Sequence, residues 1–538
     1  MKYSHRRVGA ANNMYVMMAG SMVLVVALLG LLMSTTEMGC SDFNIAGDDP
    51  QTGSQDGDAG ELNAIPGSLV IYCAAGMRYP MEKIKADYEK EFKSRGVRIQ
   101  FDFEGSGTLL SKIEINRTGD LFLAADVSYI SMAREKGLVA ESIPIAKMRP
   151  VIVVKRDNEK KIASVDDLLK DNVKVALGDP GATAIGRQTR KLLTASGQWQ
   201  QLELTTKSRG VFNPTVNGIA DAVKLGSVDA GITWDSTAAQ YPDLKVIETP
   251  ELDVGAVLNE VGVVTSSKSP AAALHFARYI TSRDRGQKTF ASMGWEVLEG
   301  DVWSSKPELT LFAGAVNRAA LDPIIAKFEK REGVKVNVKY NGCGILTAEM
   351  RAIESGTGAG FPDTFMACDV YYLKTVNELF QDAKNVSDTD IVIAVHKDNP
   401  KNIQSVDDLL REDVRVVLGH PEQCTIGVLS RRMLQEKELY AKLMKKDVPT
   451  KPTSAMLVPD VATGASDAAL AYRTDTQKES RVKGISIDSE LSKAIQPFAI
   501  ARTSDHKYLS RRFYGTIERN RDSFEAAGFN WRLDSDGD

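Results

Sequence analysis

Residues 162–180 read IASVDDLLKDNVKVALGDP, and residues 403–421 read IQSVDDLLREDVRVVLGHP. Twelve of these 19 positions are identical, and most of the others exchange like for like. The offset of roughly 240 residues is far longer than the ~20–50 of a solenoid repeat, so the chain carries a duplicated domain pair. Neighbouring segments keep the same register. LVIYCAAGMR from Leu69 pairs with LTLFAGAVNR from Leu309, and FEGSGTLL from Phe103 pairs with YNGCGILT from Tyr340. DLFLAAD from Asp120 pairs with DTFMACD from Asp363, and VDAGITW ending at Trp234 pairs with SDAALAY ending at Tyr472. The copies are expected over 66–303 and 307–533.

Within each copy, strand and helix patterns alternate. Leu69 to Tyr72 is a short apolar strand. Met81, Ile84, Tyr88 and Phe92 recur at helical spacing among charges. Val97 to Phe103 alternates as a strand does, and Ser106 to Ile113 leads from a loop into a helix. Val151 to Val154 and Val173 to Leu177 are continuous apolar runs of the kind buried in parallel sheets. The pattern predicts an α/β sheet with helices on both faces, and ligands of such sheets bind at the carboxyl ends of the strands.

The totals exclude several classes. With 538 residues the chain is long enough for three or four compact units. Its net charge of −4 gives no basic footprint for nucleic acid. Five cysteines are too few for a disulfide framework, and five histidines without an HExxH argue against a His-based zinc hydrolase.

Residues 1–40 read as a targeting segment. Lys2, Arg6 and Arg7 precede the uncharged run Met14 to Met33, which is long enough to span a bilayer and places the remainder outside the cytoplasm. Two endings fit. The run is an uncleaved anchor, or Gly39-Cys40 ends a bacterial lipoprotein signal and Cys40 carries the lipid, although Glu37 stands where that pattern wants Leu. Residues 41–65 are an acidic, glycine-rich linker with little to bury, and are expected to be disordered.

In copy one, three loops follow strands and enter helices: Ala74 to Arg78, Gly105 to Thr108, and Gly178 to Gly186. Small residues let a ligand reach the backbone, and N–H groups at helix starts bind anions. The pieces CAAG, GSGT, GDLFLAAD, GDPGATAIG and DAGITW are similar, in order, to the motifs of the molybdate-binding proteins of bacterial ABC importers. The resemblance covers nearly all of copy one and, more weakly, copy two. It implies two tandem periplasmic-binding-protein type 2 domains, each of two α/β lobes around a ligand cleft. It also implies a small oxyanion ligand, molybdate- or tungstate-like, a membrane permease as partner, no cofactor and no catalysis. Carried over by position, the family's ligand groups fall on Gly76, Ser106, Ile185, Val216 and Trp234, with Met77 and Gly107 beside them. Gly76 and Trp234 each lose a hydroxyl of the family pattern. Arg78 is a candidate to compensate by pairing with the anion.

Copy two has different chemistry. Its cleft candidates are Asn317, Arg318, Cys343, Ile426, Ser454 and Tyr472, with Val316 at the place of Gly76. Cys343, Cys424 and His420, with Cys368 as a fourth, are candidate ligands of a soft metal. No CxxC pair accompanies them, and small, buried, inert thiols are the first alternative, with a disulfide between two of them a further one. An enzyme would need converging acid–base groups. Asp179 and Asp235 lie near the expected cleft with no His or Lys partner. A membrane-tethered sensor or scaffold, with a metal in the second domain, is the alternative to transport.

Overall fold

The computed structural model describes residues 67–353 and 360–533. The apolar run, Cys40 and the acidic linker lie outside the described residues. Among the described residues, no helix is long and apolar enough to cross a membrane.

Copy one folds as two α/β lobes. In the first, the strand Ser68–Ala74 is flanked by two parallel neighbours, Arg98–Glu104 and Leu121–Ala124. The antiparallel strands Val257–Val264, Val139–Met148 and Glu296–Val297 extend this sheet to six. The second lobe has five strands, with Val175–Gly178 between Val211–Asn213 and Ala230–Trp234, followed by Pro150–Lys155 and Leu244–Ile247. The chain passes from the first lobe to the second at Arg149 and returns along Val257–Val264.

The strand Pro150–Lys155 is antiparallel to both its neighbours, Ala230–Trp234 and Leu244–Ile247. Its apolar run therefore reports burial on both faces and not a parallel setting, since helices cover either side.

Copy two repeats the plan with one change. The strand Phe380–His396 runs unbroken through both lobes. It pairs with Lys493–Ala501 along its first half and with Ala468–Tyr472 along its second. The two lobes thus share a continuous ten-stranded sheet.

Each copy buries its own apolar core. Between the copies, the helix Pro270–Thr281, buried on nearly all sides, packs on the helix Arg318–Glu332. Glu332, 1% exposed, lies between two buried guanidinium groups. Arg512 Nε donates to its Oε1 at 2.8 Å and Arg278 Nη1 to its Oε2 at 3.2 Å. Arg331 adds a bidentate pair on Glu141, 2.8 Å in both branches. A buried ionic triad of this kind gains little over apolar packing, but losing its central member strands two charges.

Candidate functional site

Four helices of copy one begin at the gap between its lobes. From the first lobe come Arg78–Glu91, through the turn Ala75–Met77, and Ser106–Asn116. From the second come Ala184–Ala195 and Val216–Leu225. Gly76 of that turn and the first residues of the other three helices, Ser106, Ala184 and Val216, line one cavity of about 20 Å³, walled by Trp234 and Trp295. A single water needs roughly 10–15 Å³ on this measure, so the closed cleft is scaled to a small inorganic species. Among the described residues, Glu104 is the only ionisable one in the lining, and Lys112 stands 3.7 Å from it. An anion here would be met by helix dipoles and N–H groups, with no cation in contact.

Capping sets which N–H groups remain open. Thr183 Oγ1 accepts from Gly186 N at 3.0 Å, and Thr215 Oγ1 accepts from Gly218 N at 3.2 Å. The earlier N–H groups, on Ala184, Ile185 and Val216, precede each helix's internal ladder. Ser106 Oγ, 1% exposed, accepts from Ala125 N at 3.1 Å. That contact fixes the oxygen and leaves the hydroxyl proton to donate elsewhere.

The lobes are closed on each other. Gly107 N donates to Ala182 O across the cleft at 3.0 Å, which removes Gly107 from the free donors. A Cβ on Gly105 would collide with the Ala182 carbonyl oxygen and lie 2.8 Å from that of Pro214, so glycine is what lets the lobes meet there. Beside the cleft, an open groove of about 1150 Å³ runs past Gly107 and Gly181 and carries Arg187, Arg190 and Lys191. Its positive edge favours anion approach.

Several sequence expectations are corrected. Arg78 does not reach the cavity. Its guanidinium stacks on the Phe103 ring, 4.3 Å from the centroid, and lies 3.6 Å from Glu82. Arg318 does the same on Tyr340 at 4.4 Å. Both arginines follow the loop by one residue and turn outward over the neighbouring strand. Asp179 accepts from Gly181 N, and Asp235 from Arg149 N and Ser236 N, so both shape backbone. The Ile185 side chain is core, and it is the neighbouring Ala184 that lines the cavity.

Residues missed from sequence include Thr183 and Thr215, whose Thr-x-x-Gly spacing before a helix is a readable cap signal. Trp295 was also missed. It is buried with Nε1 unpartnered, and lies too far along the chain for any local signal.

In copy two, Cys343, Cys368 and Cys424 are all buried free thiols. Cys343 Sγ accepts from Cys368 N at 3.1 Å and lies 3.0 Å from Cys368 Sγ. Burial pushes the Cys343 thiol up, but its hydrogen bonds with the Cys368 thiol and backbone N–H outweigh this and hold it below the usual thiol value. Cys368 is pushed well above that value by its hydrogen bond with Cys343 and by burial. The metal reading with His420 fails. The His420 ring accepts from Glu422 N at 3.2 Å within its own loop, and Cys424 Sγ faces the carbonyls of His420 and Lys451. Among the described residues, no group of three His, Cys, Asp or Glu is placed to hold a metal ion. Asn317 Nδ2 ties Met366 O and Ala367 O, each at 3.2 Å. Ile426 and Tyr472 are fully buried, and Ser454 opens a short turn.

A family model described as bacterial extracellular solute-binding protein matches residues 69–296 and again 309–530. The chain belongs to that family, in tandem duplicate. Its relatives each span about one copy. A putative binding protein of Haemophilus influenzae is 27% identical over 230 residues, 42% of this chain and 90% of that protein. The molybdate-binding protein ModA of Escherichia coli is 26% identical over 241 residues, 41% of this chain and 91% of that protein. A putative ABC transporter substrate-binding lipoprotein of Bacillus subtilis is 25% identical over 231 residues, 42% of this chain and 86% of that protein. Among solved structures, the substrate binding domain of a putative molybdenum ABC transporter from Clostridium difficile shows 25% identity and a TM-score of 0.33, covering 43% of this chain and 99% of that one.

Proposed function

We propose that the first copy captures a small tetrahedral oxyanion, of the molybdate and tungstate type, and presents it to an ABC importer in the membrane. The observation that carries this is the convergence of four helix N-termini and the Ser106 hydroxyl on one closed cavity that no cation lines. The donors are Ser106 O–H and the N–H groups of the Gly76 loop, Ile185 and Val216. The name of the Escherichia coli relative supports the ligand class, and that of the Bacillus subtilis relative supports the ABC transporter as partner. Attachment through Cys40 lipid or the Met14–Met33 run would hold the protein beside its permease.

Ser106→Ala removes a donor to a charged ligand inside a dry cleft. That costs about 1.5–3 kcal/mol, or roughly 10–150-fold in affinity. Calorimetry of the full-length chain with molybdate, tungstate, sulfate and phosphate reads the effect. Unchanged affinity in the variant would remove Ser106 from the site, and failure of all four anions would defeat the proposal.

A further inference from the structure

We infer that the second cleft binds a neutral, thiophilic oxyacid of the arsenous-acid type through the paired sulfurs of Cys343 and Cys368. The inference rests on reading copy two as a solute-binding module like copy one.

The placement of the thiols is the first observation. Copy two contains three cysteines, and in the repeat register they stand at Ser106, Ala125 and Thr183 of copy one. All three of those residues line the first cavity. The second cleft has thus exchanged hydroxyl and methyl groups for sulfur at ligand-facing positions. Cys343 and Cys368 lie 3.0 Å apart, close enough for both sulfurs to bond one atom. Cys424 is turned to the His420 and Lys451 carbonyls and stands apart from this pair.

The second observation is polar. Tyr472 OH and Asn317 Oδ1 are buried without a partner. Their counterparts Trp234 and Met77 line the first cavity. Asn317 Oδ1 is an amide oxygen and can only accept, while Nδ2 already donates to Met366 O and Ala367 O. A bare oxyanion has no proton to give it, whereas an oxyacid hydroxyl has. Unpaired buried groups are costly, so an occupant with O–H groups satisfies what an inert pair or a disulfide would leave orphaned.

The third is charge. Asp475 stands at the place of Thr237, whose hydroxyl lies 3.2 Å from a Cβ built on Gly76. A buried carboxyl there opposes an anion and leaves a neutral ligand unaffected.

Soft p-block centres prefer thiolate to oxygen. In the binding step two element–oxygen bonds break and two element–sulfur bonds form. Each thiol proton leaves on a departing hydroxide as water, and no electrons are transferred. One hydroxyl stays on the centre, within reach of hydrogen bonding by the cleft.

The test uses arsenite on the full-length chain, reduced with a phosphine that is then removed. Calorimetry should show one arsenite per chain. Cys343→Ser and Cys368→Ala, which install the residues of copy one, should each weaken it by about 100-fold or more, and Cys424→Ser should not. X-ray absorption at the arsenic edge on the unmutated protein should find two sulfur neighbours, which keeps the test independent of how the variants fold. Arsenic bound by oxygen alone, equal affinity in Cys368→Ala, or a Cys343–Cys368 disulfide that survives the reductant would overturn the inference. Molybdate titrated into the same sample separates the two readings. Molybdate bound and arsenite refused defeats only the second cleft; both refused defeats both.

Discussion

In the first cleft, Ser106 Oγ accepts from Ala125 N at 3.1 Å; in the second, Cys343 Sγ accepts from Cys368 N at the same 3.1 Å. The backbone geometry is held and the atom is changed. Around it, Gly76 becomes Val316, Met77 becomes Asn317, Thr183 becomes Cys424, Trp234 becomes Tyr472 and Thr237 becomes Asp475. Duplication kept the strands and helix starts that build a cleft, because the core fixes them, and released the side chains between the lobes. The scaffold differs in one respect. Copy one breaks its crossing strand at Arg149, whereas copy two runs Phe380–His396 straight through. A continuous strand resists bending more than a broken one, so lobe closure should be freer in copy one.

The largest effect expected lies at the seam that holds the two unlike copies together. Glu332→Ala leaves Arg278 and Arg512 buried without their shared carboxylate, which costs about 3–5 kcal/mol. Thermal unfolding of this variant should begin at lower temperature and separate the copies into two transitions. A single unshifted transition would show that the triad contributes nothing and that other contacts couple the copies.

The next test separates the clefts by pH. Burial raises the Asp475 carboxyl from 3.8 to about 6, more than Lys478 and Ser454 lower it. The folded state therefore holds this proton more tightly than the unfolded state. Its contribution to stability is fully present below about pH 4 and is lost as pH rises through about 6. Asp475→Asn should flatten the stability of copy two across that window and leave oxyanion affinity in copy one unchanged. An unaltered pH profile would place Asp475 in contact with water.

The smallest effect concerns Arg78. Stacked on Phe103 and partly exposed, it contributes about 0.5–1 kcal/mol to stability. Arg78→Gln should lower the melting temperature slightly and leave anion affinity intact. A tenfold loss of affinity would return Arg78 to the ligand.

The duplication and the α/β class were legible because apolar strands and small-residue loops recur in register over both copies. The cleft loops were legible for the same reason, since each joins a strand end to a helix start. The direction of Arg78 was not, because its stacking partner Phe103 comes from a separate strand. Trp295 and the Arg278–Glu332–Arg512 seam join residues far apart in sequence, and no local pattern marks them. The cysteines of copy two could be placed at the cleft from register alone, but which sulfur meets which required coordinates. His420 was drawn into that cluster by its position in the loop, and its ring turns back on its own backbone.

One fold, duplicated, is expected to yield one oxyanion cleft and one that refuses oxyanions. Calorimetric stoichiometry on the full-length chain tests it most directly, with molybdate, tungstate, sulfate and phosphate titrated in turn. One anion should bind per chain for the preferred ligand, with binding weakened by Ser106→Ala and unaltered by Cys343→Ser. Two anions per chain, or none for all four, would contradict it.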